Sequence, residues 1–224
     1  MSKAFPPIEK IEVLRYLGYR GQAYDNSLDA LLHTAMATCV QLARPKQIAG
    51  VFGLEPCAQG LRLAHTHSVL TGNDIAVHLA GATKVVLVAA TLGVDIDTEI
   101  RRLEHTDITA SLMLDASATD AIEKYTDMVE AGLRSEAMNE GLHLGTRYSP
   151  GYGDLPLTLQ HDMLRLLDTS RRIGLTCLDS AIMLPRKSVT AVLGYYTTPQ
   201  RPSGIKCQTC ALQAQCTYRA CTLA

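Results

Sequence analysis

The arrangement of apolar and polar residues along the chain predicts a mixture of long helices and buried strands. Apolar residues recur every three or four positions over residues 28–42 and again over 119–137, which is the spacing of one helix face. The continuous apolar run 85–90 is typical of a strand that is buried on both faces. A second β-rich run, 189–196, predicts a further strand.

Capping and turn residues predict where these elements begin and end. Ser27 is a predicted N-cap of the helix over residues 28–42, and Gly141 is a predicted stop for the second helix. Pro156 suits the first position of a helix and Gly174 suits its end, so a third long helix is predicted between them.

The segment between the first helix and the run 85–90 contains several chain-breaking residues. Residues 48–54 and the pair Leu61 and Leu63 predict short strands, interrupted by Pro56 and Gly60. The elements together favour an α+β fold with helices packed on a mixed or antiparallel sheet. A doubly wound (Rossmann) methyltransferase is not expected, because no G-x-G-x-G loop follows the apolar run 85–90.

Composition narrows the class of protein. The 224 residues are 47% hydrophobic and 19% charged, enough to bury the core of one large domain or two small ones. The formal charge of −1 argues against a nucleic-acid partner. We expect no membrane partner and a cytoplasmic location, because no apolar run approaches the ~20 residues of a membrane helix and no apolar signal segment opens the chain.

The segment 147–154, RYSPGYGD, combines a guanidinium group, two tyrosines, two glycines, a proline and a carboxylate in eight residues. It can be a tight connection in which glycines adopt positive φ and Asp154 caps the helix that follows. It can also be a ligand loop, where the backbone approaches a ligand, Arg147 grips a carboxylate, and a tyrosine face lies against a cation or purine. The two interpretations are compatible.

The pattern Arg147-x-x-x-Gly151-Tyr152 resembles the R-x-x-x-G-Y signature of the activation domain of cobalamin-dependent methionine synthase. Gln160, the triplet IGL at 173–175 and the segment 183–196, which contains M-x-P-x-x-S-V, follow in the order and spacing of that family. The resemblance is specific over about 147–196 and looser over 82–141, where small standalone bacterial members look similar.

This resemblance implies a single C-shaped α+β domain over residues 1–200 that binds S-adenosylmethionine and supports reductive methylation of cob(II)alamin. It also implies roles for individual residues. Arg147 would hold the methionine carboxylate, Ser149, Pro150 and Gly151 would line the adenosine, Tyr152 would lie at the ligand or corrinoid edge, Tyr196 would contact the ligand, and Glu130 is the candidate acidic residue.

The cobalamin would be held by another protein. The D-x-H-x-x-G motif that binds cobalamin is absent from this chain, so the resemblance implies a separate corrinoid-binding methionine synthase core as partner. Whether the chain is itself an enzyme stays open. The alternatives are a non-catalytic module that docks on the corrinoid protein or senses S-adenosylmethionine, and an iron–sulfur electron-transfer accessory protein.

A Cys-rich tail, residues 201–224, forms a second predicted unit that the resemblance does not cover. It carries Cys207, Cys210, Cys216 and Cys221. Such spacing in a cytosolic protein suits an iron–sulfur cluster or Zn²⁺, and thiols without metal are the remaining alternative. A cluster would supply the electron for reduction, and nearby Lys206 and Arg219 would attract an acidic donor such as a flavodoxin or ferredoxin.

Overall fold

The structure, a computed structural model, describes residues 5–19, 21–22 and 25–200, which contain both helices and strands. The helices are α1 (Lys10–Tyr16), α2 (Asn26–Leu42), α3 (Asn73–His78), α4 (Val94–Glu104), α5 (Ile108–Asn139), α6 (Leu159–Leu166) and α7 (Thr169–Ile173). The strands are β1 (Lys46–Cys57), β2 (Gly60–Leu63), β3 (Val69–Leu70), β4 (Lys84–Thr91), β5 (His143–Leu144), β6 (Thr176–Cys177), β7 (Met183–Leu184) and β8 (Ser188–Tyr196). The tail 201–224, with the four cysteines of the predicted cluster, lies outside the described residues.

One antiparallel sheet organises the described part of the chain. Its strand order is β3-β2-β1-β4-β8-β5, and every pair is antiparallel. The predicted strands at 85–90 and 189–196 are confirmed as β4 and β8, which pair along their length at the centre of the sheet. A separate hairpin joins β6 to β7. The prediction of an α+β fold is therefore confirmed.

Both faces of the sheet are covered by helices. Leu87 and Val192 point to the face that α6 and α7 cover, and Val86 and Leu193 point to the face that α5 covers. These side chains are almost fully buried, and each buried Leu or Val contributes about 1.5–3 kcal/mol relative to an exposed one. Burial on both faces explains why the β4 sequence is continuously apolar rather than alternating.

The first predicted helix is present as α2, but it is capped by another residue. The side chain of Asp25 accepts the backbone N–H of Leu28 at 2.9 Å, and the Ser27 hydroxyl donates to Asp25 at 2.6 Å. The prediction that Ser27 is the N-cap was wrong. Asp and Ser are both good capping residues, so residue type alone could not decide which of the two caps the helix.

The predicted third long helix is two short helices, α6 and α7. Asp168 between them has φ +50°, the left-handed conformation, which turns the chain before α7 begins. The break lets Met163 of α6 and Ile173 of α7 reach the same apolar cluster under the sheet. Gly174, with φ +72°, ends α7 as predicted.

Strand β1 is longer than the sequence suggested. It continues through Pro56, which pairs with Leu61 in the hairpin to β2. A proline is tolerated there because it lies close to the hairpin turn, where few ladder bonds are lost. The long strand matters below, because β2 covers only its last part.

Candidate functional site

The loop of residues 145–155, called here the Arg147 loop, extends the edge of β8. Gly145 N–H donates to the carbonyl of Gly194 at 2.9 Å. Tyr148 exchanges two backbone hydrogen bonds with Val192, at 2.9 and 2.8 Å. These bonds hold both ends of the tetrapeptide that contains Arg147, so the position of that side chain is set by the central sheet.

Arg147 faces a row of acidic residues on α5. Its Nη2 donates to Asp127 Oδ1 at 2.6 Å and lies 3.5 Å from Glu123 Oε2, and its Nε lies 3.2 Å from Glu130 Oε2. The three acids share one helix face because they are spaced four and three residues apart. The arrangement brings Glu130 next to Arg147, two residues that the resemblance assigned to the same ligand.

Arg134 completes this charged cluster, called here the Arg147 cluster. It contacts Glu130 Oε1 at 2.7 Å, one turn along α5, and donates to the carbonyls of Leu144 and Gly145. Glu130 is thus shared by two guanidinium groups. Three carboxylates face two guanidinium groups, so the cluster carries one excess negative charge.

One donor of Arg147 is unused. Its Nη1 atom is buried, and within the described ranges no acceptor lies within hydrogen-bond reach of it. The side chain as a whole is only 13% exposed. A buried donor without an acceptor costs about 1–3 kcal/mol, so an acceptor supplied by a ligand would remove a cost that the protein alone carries.

The far end of the Arg147 loop is fastened to α3 rather than to the next helix. Asp154 accepts the backbone N–H of Asn73 at 2.6 Å and that of Asp74 at 3.1 Å. The expectation that Asp154 caps the following helix was wrong. Gly153 has φ +51°, and any Cβ there would overlap the Asp74 carboxylate and the Tyr148 hydroxyl. Only glycine fits this close approach.

The Tyr196 side chain is buried beneath the Arg147 loop and contacts protein atoms there. The side chain is 3% exposed, and its hydroxyl donates to the carbonyl of His78 at 2.7 Å. A Cβ on Gly145 or Gly194 would come within 2.8 Å of this side chain. The ring therefore supports the loop from below, and its predicted contact with a ligand stays a prediction.

The tip of the loop presents Tyr152 to solvent. Gly151, at φ +87°, donates its N–H to Leu155 at 2.9 Å, and Tyr152 N–H donates to Ser149 at 3.2 Å, while Pro150 is buried. Tyr152 is 63% exposed and its ring lies edge-on to that of Tyr148, 6.4 Å away. Burial and the charges of Asp74 and Asp154 raise the pKa of Tyr148, so its hydroxyl stays protonated at neutral pH.

Sequence reasoning missed the residues that come from other elements. Glu123 and Asp127 of α5, and Asp74 and His78 of α3, surround the loop but lie about 20–80 residues before it in the chain. The acids at spacings of four and three on α5 were a usable signal for one charged helix face. Nothing local indicates that this face meets Arg147.

Metal chemistry finds no support in the described part of the chain. No group of three or more His, Cys, Asp or Glu side chains there could hold a metal ion. Cys39, Cys57 and Cys177 are free thiols, and burial raises the pKa of Cys39 to about 12. The predicted iron–sulfur or zinc site at Cys207, Cys210, Cys216 and Cys221 lies outside the described residues and stays a prediction.

A separate finding concerns membranes. Among the described residues, no helix combines the length and the apolar character needed to cross a bilayer.

Comparison with known proteins shows a similarity in structure but none in sequence. No protein-family model matches the chain, and no curated protein sequence matches it. The fold is similar to a crystal structure of the MetH reactivation domain bound to AdoHcy, with a TM-score of 0.62 and 16% sequence identity, covering 83% of this chain and 73% of that chain. At this identity the similarity establishes the fold.

Proposed function

We propose that the chain binds S-adenosylmethionine at the Arg147 loop and supports reductive methylation of cob(II)alamin held by a separate corrinoid-binding methionine synthase core. The observation that carries this proposal is the unused donor of Arg147. The Nη1 atom is buried and has no acceptor within the described ranges, and the amino-acid end of S-adenosylmethionine brings a carboxylate that suits a guanidinium.

The charge of the Arg147 cluster also suits this ligand. S-adenosylmethionine carries a positive sulfonium and a positive ammonium group besides its carboxylate. The cluster offers one excess carboxylate. Asp127 and Glu123 are 63% and 46% exposed, so they are within reach of a cation that enters from solvent. A ligand with both signs of charge is therefore complementary to a site with a spare donor and a spare carboxylate.

The similar crystal structure supports this class of ligand, because that reactivation domain was solved with AdoHcy bound. S-adenosylmethionine supplies an electrophilic methyl group, and no side chain of this chain has to act as nucleophile. The residues here bind and orient the ligand: Arg147 at the carboxylate, the turn at Ser149–Gly151 beside the adenosine, and Tyr152 at the exposed edge. Orientation of two reactants accounts for large rate effects by itself.

The first test is calorimetric titration of the chain with S-adenosylmethionine and with AdoHcy. Arg147→Met should weaken binding by about 1.5–3 kcal/mol, which is roughly 10- to 150-fold. The matched control is Arg165→Met, because Arg165 pairs with an acid in the same way, at 2.6 Å from Asp162, but lies exposed on α6. Its affinity for both ligands should equal that of the unchanged chain.

Two results would contradict the proposal. One is the absence of binding by the folded chain at millimolar ligand. The other is an Arg147→Met variant that binds as tightly as the control. A second assay then addresses the reaction: methylcobalamin should form on a cob(II)alamin-loaded core protein, with reductant and S-adenosylmethionine, only when this chain is added. Binding without that dependence would favour a sensing or docking module.

A further inference from the structure

Among the described residues, no strand lies beside the outer edge of β1 over the first half of its length. β2 pairs with β1 only from Leu54 to Cys57, and the chain then leaves after Ala64, whose N–H donates to the carbonyl of Gly53 at 2.9 Å. On its other edge, β1 pairs with β4 over residues 46–53. In the part of the chain that the structure describes, no backbone group bonds to the outer edge of residues 46–52.

The direction of the free backbone groups follows from the antiparallel pattern. Backbone N–H and C=O groups of alternate residues point to the same edge of a strand. Because the carbonyl of Gly53 points toward β2, the N–H and C=O groups of Gln47, Ala49 and Val51 point outward. The intervening residues point toward β4. An open edge of this length is a template for a further strand.

Helices α5 and α7 flank this open edge and form a groove along it. Leu133 and Glu136 of α5 form one wall, Arg172 and Ile173 of α7 form the other, and the floor includes Gln47 and Ala49. The cavity measures about 410 Å³. A second folded copy would bring its own flanking helices against α5 and α7, whereas a single extended chain enters between the two walls.

The two walls carry opposite charges. Glu136 and Arg172 are both exposed, and no ion pair joins either to another residue in the described ranges. Side chains of a strand lying in the groove would point alternately toward one wall and the other. A basic residue facing α5 and an acidic residue beside it facing α7 would therefore match the walls.

We propose that this groove binds an extended segment of another protein as an added antiparallel strand beside residues 46–52, with a basic and an acidic residue at neighbouring positions. Main-chain hydrogen bonds to Gln47, Ala49 and Val51 supply the affinity, and Glu136 and Arg172 supply the selectivity. The added strand would lie on the same side of β1 as β2, beginning where the pairing with β2 and Ala64 ends. This proposal does not depend on S-adenosylmethionine binding.

Amide hydrogen exchange measured by NMR on the full chain tests the open edge directly. In the free protein the amides of Gln47, Ala49 and Val51 should exchange fast, and those of Ile48, Gly50 and Phe52 should exchange slowly. The probe is a seven-residue peptide of alternating valine and threonine with one lysine and one aspartate at adjacent positions. At millimolar concentration it should protect the three fast amides. The same peptide N-methylated at every backbone nitrogen should not, because neither of its edges can then pair with β1.

Edge substitutions provide matched variants for the affinity measurement. Gln47→Pro removes an outward N–H and leaves the hydrogen bonds to β4 in place. It should weaken the affinity for the peptide about two- to tenfold relative to Gln47→Thr. Val51→Pro against Val51→Thr repeats the comparison at a second site if the first proline disturbs the strand. Arg172→Glu should weaken peptide binding about two- to fivefold. The affinity of a peptide that lacks the aspartate should be the same for Arg172→Glu and for the unchanged chain.

The outcomes separate the alternatives. Failure of the peptide to protect the three outward amides would overturn the proposal. Protection already present in the free chain would overturn it as well, and its dependence on protein concentration would identify the occupant. Protection that fades on dilution indicates a second copy, and protection that is independent of concentration indicates another segment of the same chain.

Discussion

Two basic side chains reach α5 from the strand side of the molecule, and they are equally buried but differently partnered. Lys187 is 11% exposed, and its Nζ contacts Asp115 Oδ1 and Thr119 Oγ1, both at 2.9 Å. Arg147 is 13% exposed, meets three carboxylates, and keeps a buried donor without an acceptor. Lys187 is a matched structural contact. Arg147 is mismatched in both charge and hydrogen bonds, and local mismatches of this kind are expected at functional sites more than elsewhere.

The largest expected effect concerns stability at these two positions. Lys187→Met should lower the free energy of unfolding by about 1.5–3 kcal/mol, because hydrogen bonds to a charged group are lost without compensation. Arg147→Met should lower it by less than Lys187→Met does, because removal of an unpaired buried donor offsets part of the cost of leaving Glu123, Asp127 and Glu130 without this cation. Urea unfolding at neutral pH measures both. An Arg147 variant that loses more stability than the Lys187 variant would reverse the comparison.

A smaller difference is expected between the acids that face the two cations. Asp115→Asn removes the carboxylate that pairs with Lys187, so it should cost about 1 kcal/mol. Asp127→Asn leaves Arg147 with Glu123 and Glu130, so its effect on stability should stay within about 0.5 kcal/mol. Both variants are read from the same urea curves. Equal losses would show that the Arg147 cluster has no spare carboxylate.

The smallest expected effect is the pH dependence of stability that arises from Asp120, a buried acid of α5. Burial raises the pKa of Asp120 above its ordinary value, and this outweighs the opposing effects of the Glu9 N–H at 2.8 Å and of Lys124. The folded state therefore holds the proton at pH values where the unfolded chain has lost it. Rising pH through this window should lower stability.

The measurement compares the unchanged chain with Asp120→Asn across the acidic range from about pH 4 upward. The stability of the unchanged chain minus that of the variant should fall as pH rises. A difference that rises instead would mean that the contacts with Glu9 and Lys124 dominate and that the pKa of Asp120 is lowered.

The elements of the fold were largely predictable because they depend on local patterns. The apolar runs predicted β4 and β8, and helical spacing predicted α2 and most of α5. The break at Asp168 was not predictable, because the residues on each side keep helical spacing and only their packing under the sheet requires a turn. Strand β5 has two residues, too few to leave a pattern.

The candidate site was predictable in part. The residue types of 147–154 indicated a loop that could meet a ligand, and the resemblance linked Arg147 with Glu130, which lie 3.2 Å apart in the structure. The involvement of Asp127, and the bonds from Asp154 to α3, could not be predicted from local spacing. They depend on how α3 and α5 pack on the sheet.

The amino-acid sequence by itself determined which segments are helices and strands and which loop carries the reactive residue types, because periodicity and turn chemistry act over a few neighbouring positions. Only the tertiary structure decided that Arg147 faces more acids than it can pair with while Lys187 is matched. It also decided that, among the described residues, one edge of the first half of β1 has no neighbouring strand. Those properties are relations between segments far apart in the chain. They follow from which faces are buried together, and hydrophobic burial fixes this without regard to distance along the sequence.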